Sequence, residues 1–336
     1  MKILTLGDVQ NIIHKVALSK LFQIVMEAME SDFSRWNEFN LSSRHATHFK
    51  HGVIELMPCS DNHLYSFKYV NGHPENPLNN HLCVIALGQL SEVSNGYPLM
   101  ISEMTLLTAL RTAVTAVLAG KYLARHNAST LAIIGTGSQA EFQVTAFASF
   151  FPIEHVRYYD PDVSAMKKFE HNLAREKFEL VACKNINEAV SSADVIVTAT
   201  AAKKRQCLFN LEDISPGTHI HAMGGDCPEK TEFGADFLQH TKIVVEYSPQ
   251  SLLEGEMQQC LKDSVYAELW ELVSKMKPGR TNEQEITLFD SVGFALEDFS
   301  ILRVFYKFAL EYQLGTELDL IPELDDPKNL YELIKQ

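Results

Sequence analysis

Gly135, Gly137 and Ala140 close an apolar run, Leu131-Ala-Ile-Ile134, and open a helix-like segment from Glu141 to Phe150. Small residues at that spacing have a defined use. The first glycine makes a tight turn, the second lets backbone approach a pyrophosphate, and the third small residue lets helix pack on strand. Free N–H groups at the helix start, aided by the macrodipole, then hold the negative charge. Such a triplet also marks ordinary tight turns, so its context decides. A second strand, His155-Val-Arg-Tyr-Tyr159, follows at the expected distance and ends in Asp160. A carboxylate there accepts from both hydroxyls of an adenosine ribose and repels a 2′-phosphate, so the expected cofactor is NAD.

Three charges lie where apolar residues would be the easy choice. Glu55 is embedded in Val53–Met57, Lys68 in Tyr65–Val70 and Arg111 in Thr108–Val114. Each is paired, faces a cavity, or points to solvent from a half-exposed element, because burying a lone charge is costly. The stretch Ile220-His-Ala-Met-Gly-Gly-Asp-Cys-Pro228 is more pointed. Gly224 and Gly225 let backbone approach something closely, and Asp226 follows at the carboxyl end of a strand, where doubly wound sheets place ligands. The competing reading of Asp226 is a solvated turn carboxylate. Pro228 can start a helix with Lys230 and Glu232 in its first turn. No His-Glu-x-x-His or other metal spacing appears, so no metal site is expected. Phosphate-loop and nucleophile-elbow patterns are also absent.

These residues need elements to position them. A chain of 336 residues exceeds the size at which one core usually stops growing, so two domains are expected. Residues 8–38 carry helical periodicity with Asp8 as a cap. Short β runs follow at 53–57, 64–70, 83–93 and 98–102, consistent with an antiparallel sheet. A long helix over 103–124, capped by Thr105 or Ser102, leads into strands at 131–135, 155–160, 178–182, 194–200, 218–223 and 242–247. Their alternation with helices predicts a doubly wound parallel sheet of Rossmann type. A last strand over 286–289 and a helix over 292–312 return the chain to the first unit. The α/β layout expected is a nucleotide domain, 116–299, inserted into a smaller α+β substrate domain, 1–115 with 300–336.

The net charge of −14 disfavours nucleic acid and anionic membrane surfaces as partners. No stretch approaches the ~20 consecutive apolar residues that span a bilayer. The opening Met-Lys-Ile-Leu-Thr-Leu-Gly-Asp is too short an apolar run for a signal peptide. Six cysteines scattered without a C-x-x-C pair read as reduced thiols, so a cytoplasmic setting is expected.

The chain resembles the ornithine cyclodeaminase/mu-crystallin family nearly end to end. The matching blocks are Val53-Ile-Glu-Leu-Met-Pro58, Phe67-Lys-Tyr-Val-Asn-Gly-His-Pro74, Thr108-Ala-Leu-Arg-Thr-Ala113 and Gly135-Thr-Gly-Ser-Gln-Ala140. Further on come Gly224-Gly-Asp-Cys-Pro228, Lys230-Thr-Glu232, Val245-Glu-Tyr247, Glu254-Gly-Glu256 and Phe289-Asp-Ser-Val-Gly-Phe-Ala-Leu-Glu-Asp298. The resemblance implies conversion of L-ornithine to L-proline and ammonia, with NAD as hydride carrier, in a homodimer whose substrate domains pair their sheets. It also implies residue roles. Arg44, Lys68 and Arg111 would hold the substrate carboxylate, Val292 would line the substrate, Glu55 would lie near its amines, and Asp226 would be the acid/base group. Thr112, Ser138, Gln139, Asp160, Thr200, Met223, Gly224, Gly225, Lys230 and Ser291 fall at cofactor-contact positions.

Four positions depart from the family pattern: Cys83 for Thr, Thr136 for Asn, Glu229 for Gly and Leu252 for Arg. None removes a proposed catalytic group. Alternatives remain: a lysine cyclodeaminase, a related NAD(P)-dependent ketimine reductase or amino-acid dehydrogenase, and a non-enzymatic, crystallin-like binding protein. Glu55 and Asp226 together favour cyclisation over net oxidation.

Overall fold

The computed structural model describes residues 1–201, 204–260 and 262–335. The first sheet is built from β1 (Lys2–Leu4), β2 (His45–Phe49), β3 (Gly52–Ser60), β4 (Leu64–Gly72), β5 (Ala86–Glu92), β6 (Pro98–Glu103) and a terminal strand, Thr316–Glu317. Strands β2 to β6 form an antiparallel meander, while β1 lies parallel to β6 and pairs with the terminal strand. Alternation along β3 and β4 explains the embedded charges. Side chains in a strand change face at every residue, so Glu55, Met57 and Cys59 are buried together, as are Ser66, Lys68 and Val70. Met57 lies opposite Lys68, and Glu55 opposite Val70.

The second sheet is wholly parallel. It contains β7 (Thr130–Ile134), β8 (His155–Tyr159), β9 (Glu179–Ala182), β10 (Val195–Thr198), β11 (His219–Ala222), β12 (Lys242–Val245), β13 (Val265–Glu268) and β14 (Thr287–Asp290). Their spatial order is β9-β8-β7-β10-β11-β14-β12-β13. The chain winds one way from β7 to β8 and the other way from β7 to β10. A crevice therefore opens past the carboxyl end of β7, which is where such sheets bind ligands.

The longer helices are α1 (Leu6–Val16), α2 (Leu18–Ser34), α3 (Thr105–Leu123), α4 (Ala140–Phe150), α5 (Val163–Leu173) and α6 (Ala295–Glu311). Helix α3 is long and apolar enough to cross a membrane, yet it is mostly buried inside the protein. It packs on α2 and on β5 of the first sheet, and on α4 and on β11 and β14 of the second. Helix α6 packs on α2, β3, β4 and β5. The two helices tie the sheets together, and the boundaries read at 115/116 and 299/300 fall inside them.

Several local expectations are corrected. The single helix over 8–38 is two, because Ala17 takes φ 69° and its N–H closes α1 onto the Ile13 carbonyl. Thr5 caps α1, with Asp8 as its reciprocal capping-box partner rather than the cap itself. Neither Thr105 nor Ser102 caps α3. The Leu106 N–H donates to Glu103 Oε1 at 2.9 Å, while Thr105 Oγ1 accepts from Ala86 N. Pro228 opens a turn, not a helix, and Thr231 bridges to Arg205 in extended form. Strand β13 carried no recognised signal, and β14 enters between β11 and β12.

Candidate active site

Gly135 has φ 96°, and a Cβ there would sit 2.6 Å from the Ala199 carbonyl oxygen. Only glycine fits that turn. A Cβ on Gly137 would meet nothing within 4 Å, so this glycine answers no packing need of the protein itself. Its bare backbone leaves room for a ligand's phosphates. Gln139 precedes α4 without a side-chain cap, so the helix start keeps donors for an anion. Asp160 is preset: one carboxylate oxygen accepts from Thr136 N at 2.7 Å and the other from Asp162 N at 2.8 Å. A groove of about 560 Å³ opens beside Asp160, lined by Tyr159, Val163, Met166, Ala182 and Lys184. It includes Asp160, the carboxylate expected to face a ribose, and none of Arg44, Glu55, Lys68 or Arg111. These features fit an NAD-type dinucleotide.

Gly224 and Gly225 do permit a close approach, as expected from the sequence. A Cβ on Gly224 would overlap the Glu232 carboxylate, and one on Gly225 would overlap Glu256 Oε1. The close approach is to internal carboxylates. Glu232 accepts from Thr198 Oγ1 at 2.5 Å, Thr200 Oγ1 at 2.6 Å and Gly224 N at 3.0 Å. It thereby fixes two expected cofactor positions, Thr200 and Gly224. Glu246 does the same for the β14–α6 loop, accepting from Ser291 Oγ, Val292 N and Gly293 N.

That loop and the first turn of α6 after it are where the three cations converge. Arg44 donates to Glu55 Oε2 at 3.0 Å and to the carbonyls of Val292 and Gly293. Lys68 Nζ lies 2.9 and 2.8 Å from the two oxygens of Asp298. Arg111 contacts Glu297 at 2.5 Å and Asp298 at 3.0 Å. Gly293 has φ 79°, and a Cβ there would press on the Arg111 guanidinium. Lys68 and Arg111 are buried, and the Arg44 side chain keeps only 7% of its surface exposed. Burial disfavours their charges, but the carboxylates around Arg44 and Arg111 hold both guanidinium groups above their ordinary values. Lys68 responds the other way. Burial, and then the nearby Arg111, push it down to about 8 despite Asp298, and Arg44 pushes in the same direction.

Asp226 sits at the rim of this cluster, half exposed, with Lys230 Nζ at 2.9 Å. Its charge reaches both Arg44 and Glu254, and Glu254 also feels Glu55. Asp226, Glu55 and the three cations therefore form one electrostatic unit. Thr112 is buried on α3, one residue beyond Arg111. Met223, Gly224 and Gly225 follow β11 on the side of the Asp226 carboxylate.

Sequence reasoning missed a second set of acids as site residues. Glu254 stands 3.3 Å from Arg44 Nε. Glu256 accepts from Glu232 N and Phe233 N, and burial beside Asp290 pushes it up to about 9. Asp290 accepts from Glu256 N and Met257 N, and burial lifts it to about 7. Their only signal was position inside the matched blocks. Glu229 presents another outcome: at φ 66° it occupies the left-handed conformation that the family's glycine suits. It is held there by its N–H on Gln258 and by an ion pair with Arg205.

The model of the ornithine cyclodeaminase/mu-crystallin family matches residues 8–313. The chain belongs to this family. It is 45% identical over 331 residues to the ornithine cyclodeaminase of Agrobacterium tumefaciens (strain Ach5), covering 98% of this chain and 93% of that one. Among solved structures it is similar to a lysine cyclodeaminase described with L-lysine, L-ornithine and L-2,4-diaminobutyric acid. The TM-score is 0.93 at 25% identity, and the match covers 98% of each chain. It is also similar to an archaeal alanine dehydrogenase dimer with bound NAD, at TM-score 0.88, 32% identity and coverage of 96% and 99%. The family and the Rossmann-type α/β fold expected from sequence are both borne out.

Proposed function

We propose that this protein converts L-ornithine to L-proline and ammonia, with NAD as a hydride carrier regenerated in each cycle. The observation that carries this reading is the meeting of Arg44, Lys68 and Arg111 with two further carboxylates, Glu55 and Asp226, beside the dinucleotide crevice. Two guanidinium forks and an ammonium suit a planar carboxylate held from defined directions. Glu55 suits the distal ammonium of a diamino acid, a charge that a simple amino acid lacks.

NAD would be held by Gly135, Gly137, Ser138, Gln139, Ala140 and Asp160, with Thr112, Thr200, Met223, Gly224, Gly225, Lys230 and Ser291 around its reactive end. When bound it supplies a hydride acceptor for Cα and a hydride donor for the cyclic imine. The protein's own groups do the rest. The cations fix the carboxylate and so orient Cα, with Val292 against the side chain. Asp226 takes a proton from the α-ammonium, and later a proton leaves with the departing ammonia. Positioning of this kind supplies much of the rate, and exclusion of water protects the imine from hydrolysis.

A lysine cyclodeaminase is the second reading, favoured by the solved structure named above. One methylene separates the substrates by only ~1–3 kcal/mol. A homodimer is also proposed. On the outward face of the first sheet, Leu56, Tyr69 and Leu87 form one row across three strands, and Pro58 and Phe67 pair in the next. Leu56 and Leu87 are exposed, and an apolar sheet face of this kind suits a second copy. The cytoplasm is the proposed setting, in keeping with the scattered cysteines.

One experiment tests the activity. Incubated with ornithine and substoichiometric NAD, the protein should release ammonia and proline in equal amounts with no net rise in NADH absorbance. Steady NADH accumulation would instead identify a dehydrogenase, and ammonia from lysine alone would promote the second reading.

A further inference from the structure

Ring closure poses a proton problem that Asp226 alone does not solve. A diamino acid enters with both nitrogens protonated. The α-ammonium must lose one proton before hydride can leave Cα, and that proton goes to Asp226. The δ-ammonium must lose another before its lone pair can form the new bond to Cα. A second acceptor is needed.

The neighbouring carboxylates are occupied. Glu55 accepts from Arg44 Nη1 and, in the reading above, also pairs as an ion with the distal ammonium, so it is committed on both sides. Glu232, Glu246, Glu256 and Asp290 each accept at least two hydrogen bonds that fix loops. Asp298 and Glu297 hold Lys68 and Arg111. Glu254 differs. Its side chain is 8% exposed and 3.3 Å from Arg44 Nε. Its Oε2 is buried and accepts no hydrogen bond among the described residues. The charged groups facing it are Arg44, Glu55 and Asp226.

Resting on the cyclodeaminase reading, we propose that Glu254 is the second proton acceptor, taking the proton that the δ-ammonium sheds before ring closure. Burial, with Glu55 and Asp226 nearby, raises this carboxyl to about 7 against the pull of Arg44, so it can both take and return a proton near neutrality. The balance closes. The neutral δ-nitrogen bonds to Cα of the iminium, giving an aminal whose ring nitrogen bears two hydrogens. One of those protons passes to the α-nitrogen. The Cα–N bond then breaks with its electron pair leaving on ammonia, and the ring nitrogen, keeping its remaining hydrogen, forms the protonated imine. Asp226's proton leaves with ammonia as ammonium, and Glu254's ends on the ring nitrogen of proline. No oxidant or reductant beyond the hydride already borrowed is required.

The test compares wild-type protein, Glu254→Gln and Glu254→Asp, each loaded with NAD, by ammonia release from ornithine across the neutral pH range. Glu254→Gln should lower kcat roughly 100-fold and abolish the acidic limb near pH 7, leaving the KM for ornithine within about threefold. Its melting temperature and NAD-binding fluorescence should match wild type. Glu254→Asp should keep the limb and recover part of the rate. Should Glu254→Gln unfold, Glu254→Asp carries the test through the persistence of that limb. An unchanged kcat and limb in Glu254→Gln overturns the proposal. So does a loss confined to KM, which would mean that Glu254 only positions Arg44. A wild-type protein that releases no ammonia from ornithine sinks the cyclodeaminase reading, and this role with it.

Discussion

At the scale of single residues, the buried ion pairs explain one another. Lys68 would be an isolated charge in the core without Asp298, and Asp298 also anchors Arg111. Such sharing leaves Lys68 the least secure of the three cations, at about 8, because burial and Arg111 both oppose its charge. Below that value Lys68 is an ammonium that can bind a carboxylate, and above it the site loses one of its three positive charges. The KM for ornithine should therefore rise as pH passes through about 8, by roughly tenfold per pH unit once titration dominates. Initial rates measured at saturating NAD over this window check it. A KM that stays level well beyond pH 9 would mean that the Lys68 proton plays no part in substrate binding. Glu55, Lys68 and Arg111 were conspicuous in the sequence because each interrupts an apolar pattern. Glu246, Glu254 and Glu256 were not, because a carboxylate in a short loop segment reads as solvated until the tertiary fold encloses it.

At the scale of elements, the unit around β7 was readable because its requirements are local. A buried strand, a turn with positive φ and a helix start each leave a mark within a few residues. Gly135 is the strictest of these. Replacing it by alanine combines a left-handed φ with a Cβ placed 2.6 Å from the Ala199 carbonyl. Gly135→Ala should cost about 1–3 kcal/mol of stability and weaken NAD binding by roughly tenfold or more. Thermal melting and cofactor-quenched fluorescence report the two effects separately. A variant with wild-type melting and NAD affinity would show that the turn relaxes freely. Other elements escaped the reading for physical reasons. The break at Ala17 has no glycine or proline to announce it. Strand β13 spans only Val265–Glu268, too short for alternation to register. The turn at Pro228 is set by Gln258, whose side-chain amide donates to the carbonyls of Cys227 and Lys230 from a distant segment.

For the whole molecule, what matters is which surfaces are finished. The second sheet runs between helices, and its inner strands β7, β10, β11, β14 and β12 are buried nearly throughout. The first sheet is covered by α6 on one face only. On the other, Leu87 is 56% exposed and Leu56 46%, with Tyr65 and Phe67 beside them. An apolar face of several adjacent strands is expensive to leave in water, and Glu103, the acid opposite Leu87 at its edge, already accepts from Leu106 N. Pairing of this face with its copy would bury it without altering the interior, since Arg44, Glu55, Lys68, Arg111 and Asp226 all come from one chain. The protein should therefore sediment as a dimer at micromolar concentration, and the double variant Phe67→Glu, Leu87→Glu should sediment as a folded monomer. NAD affinity should be nearly unchanged in that monomer, because the dinucleotide crevice lies at the carboxyl end of the other sheet. Analytical ultracentrifugation with circular dichroism decides the point. If the wild-type chain is monomeric, or the double variant still dimerises, the apolar face has another occupant.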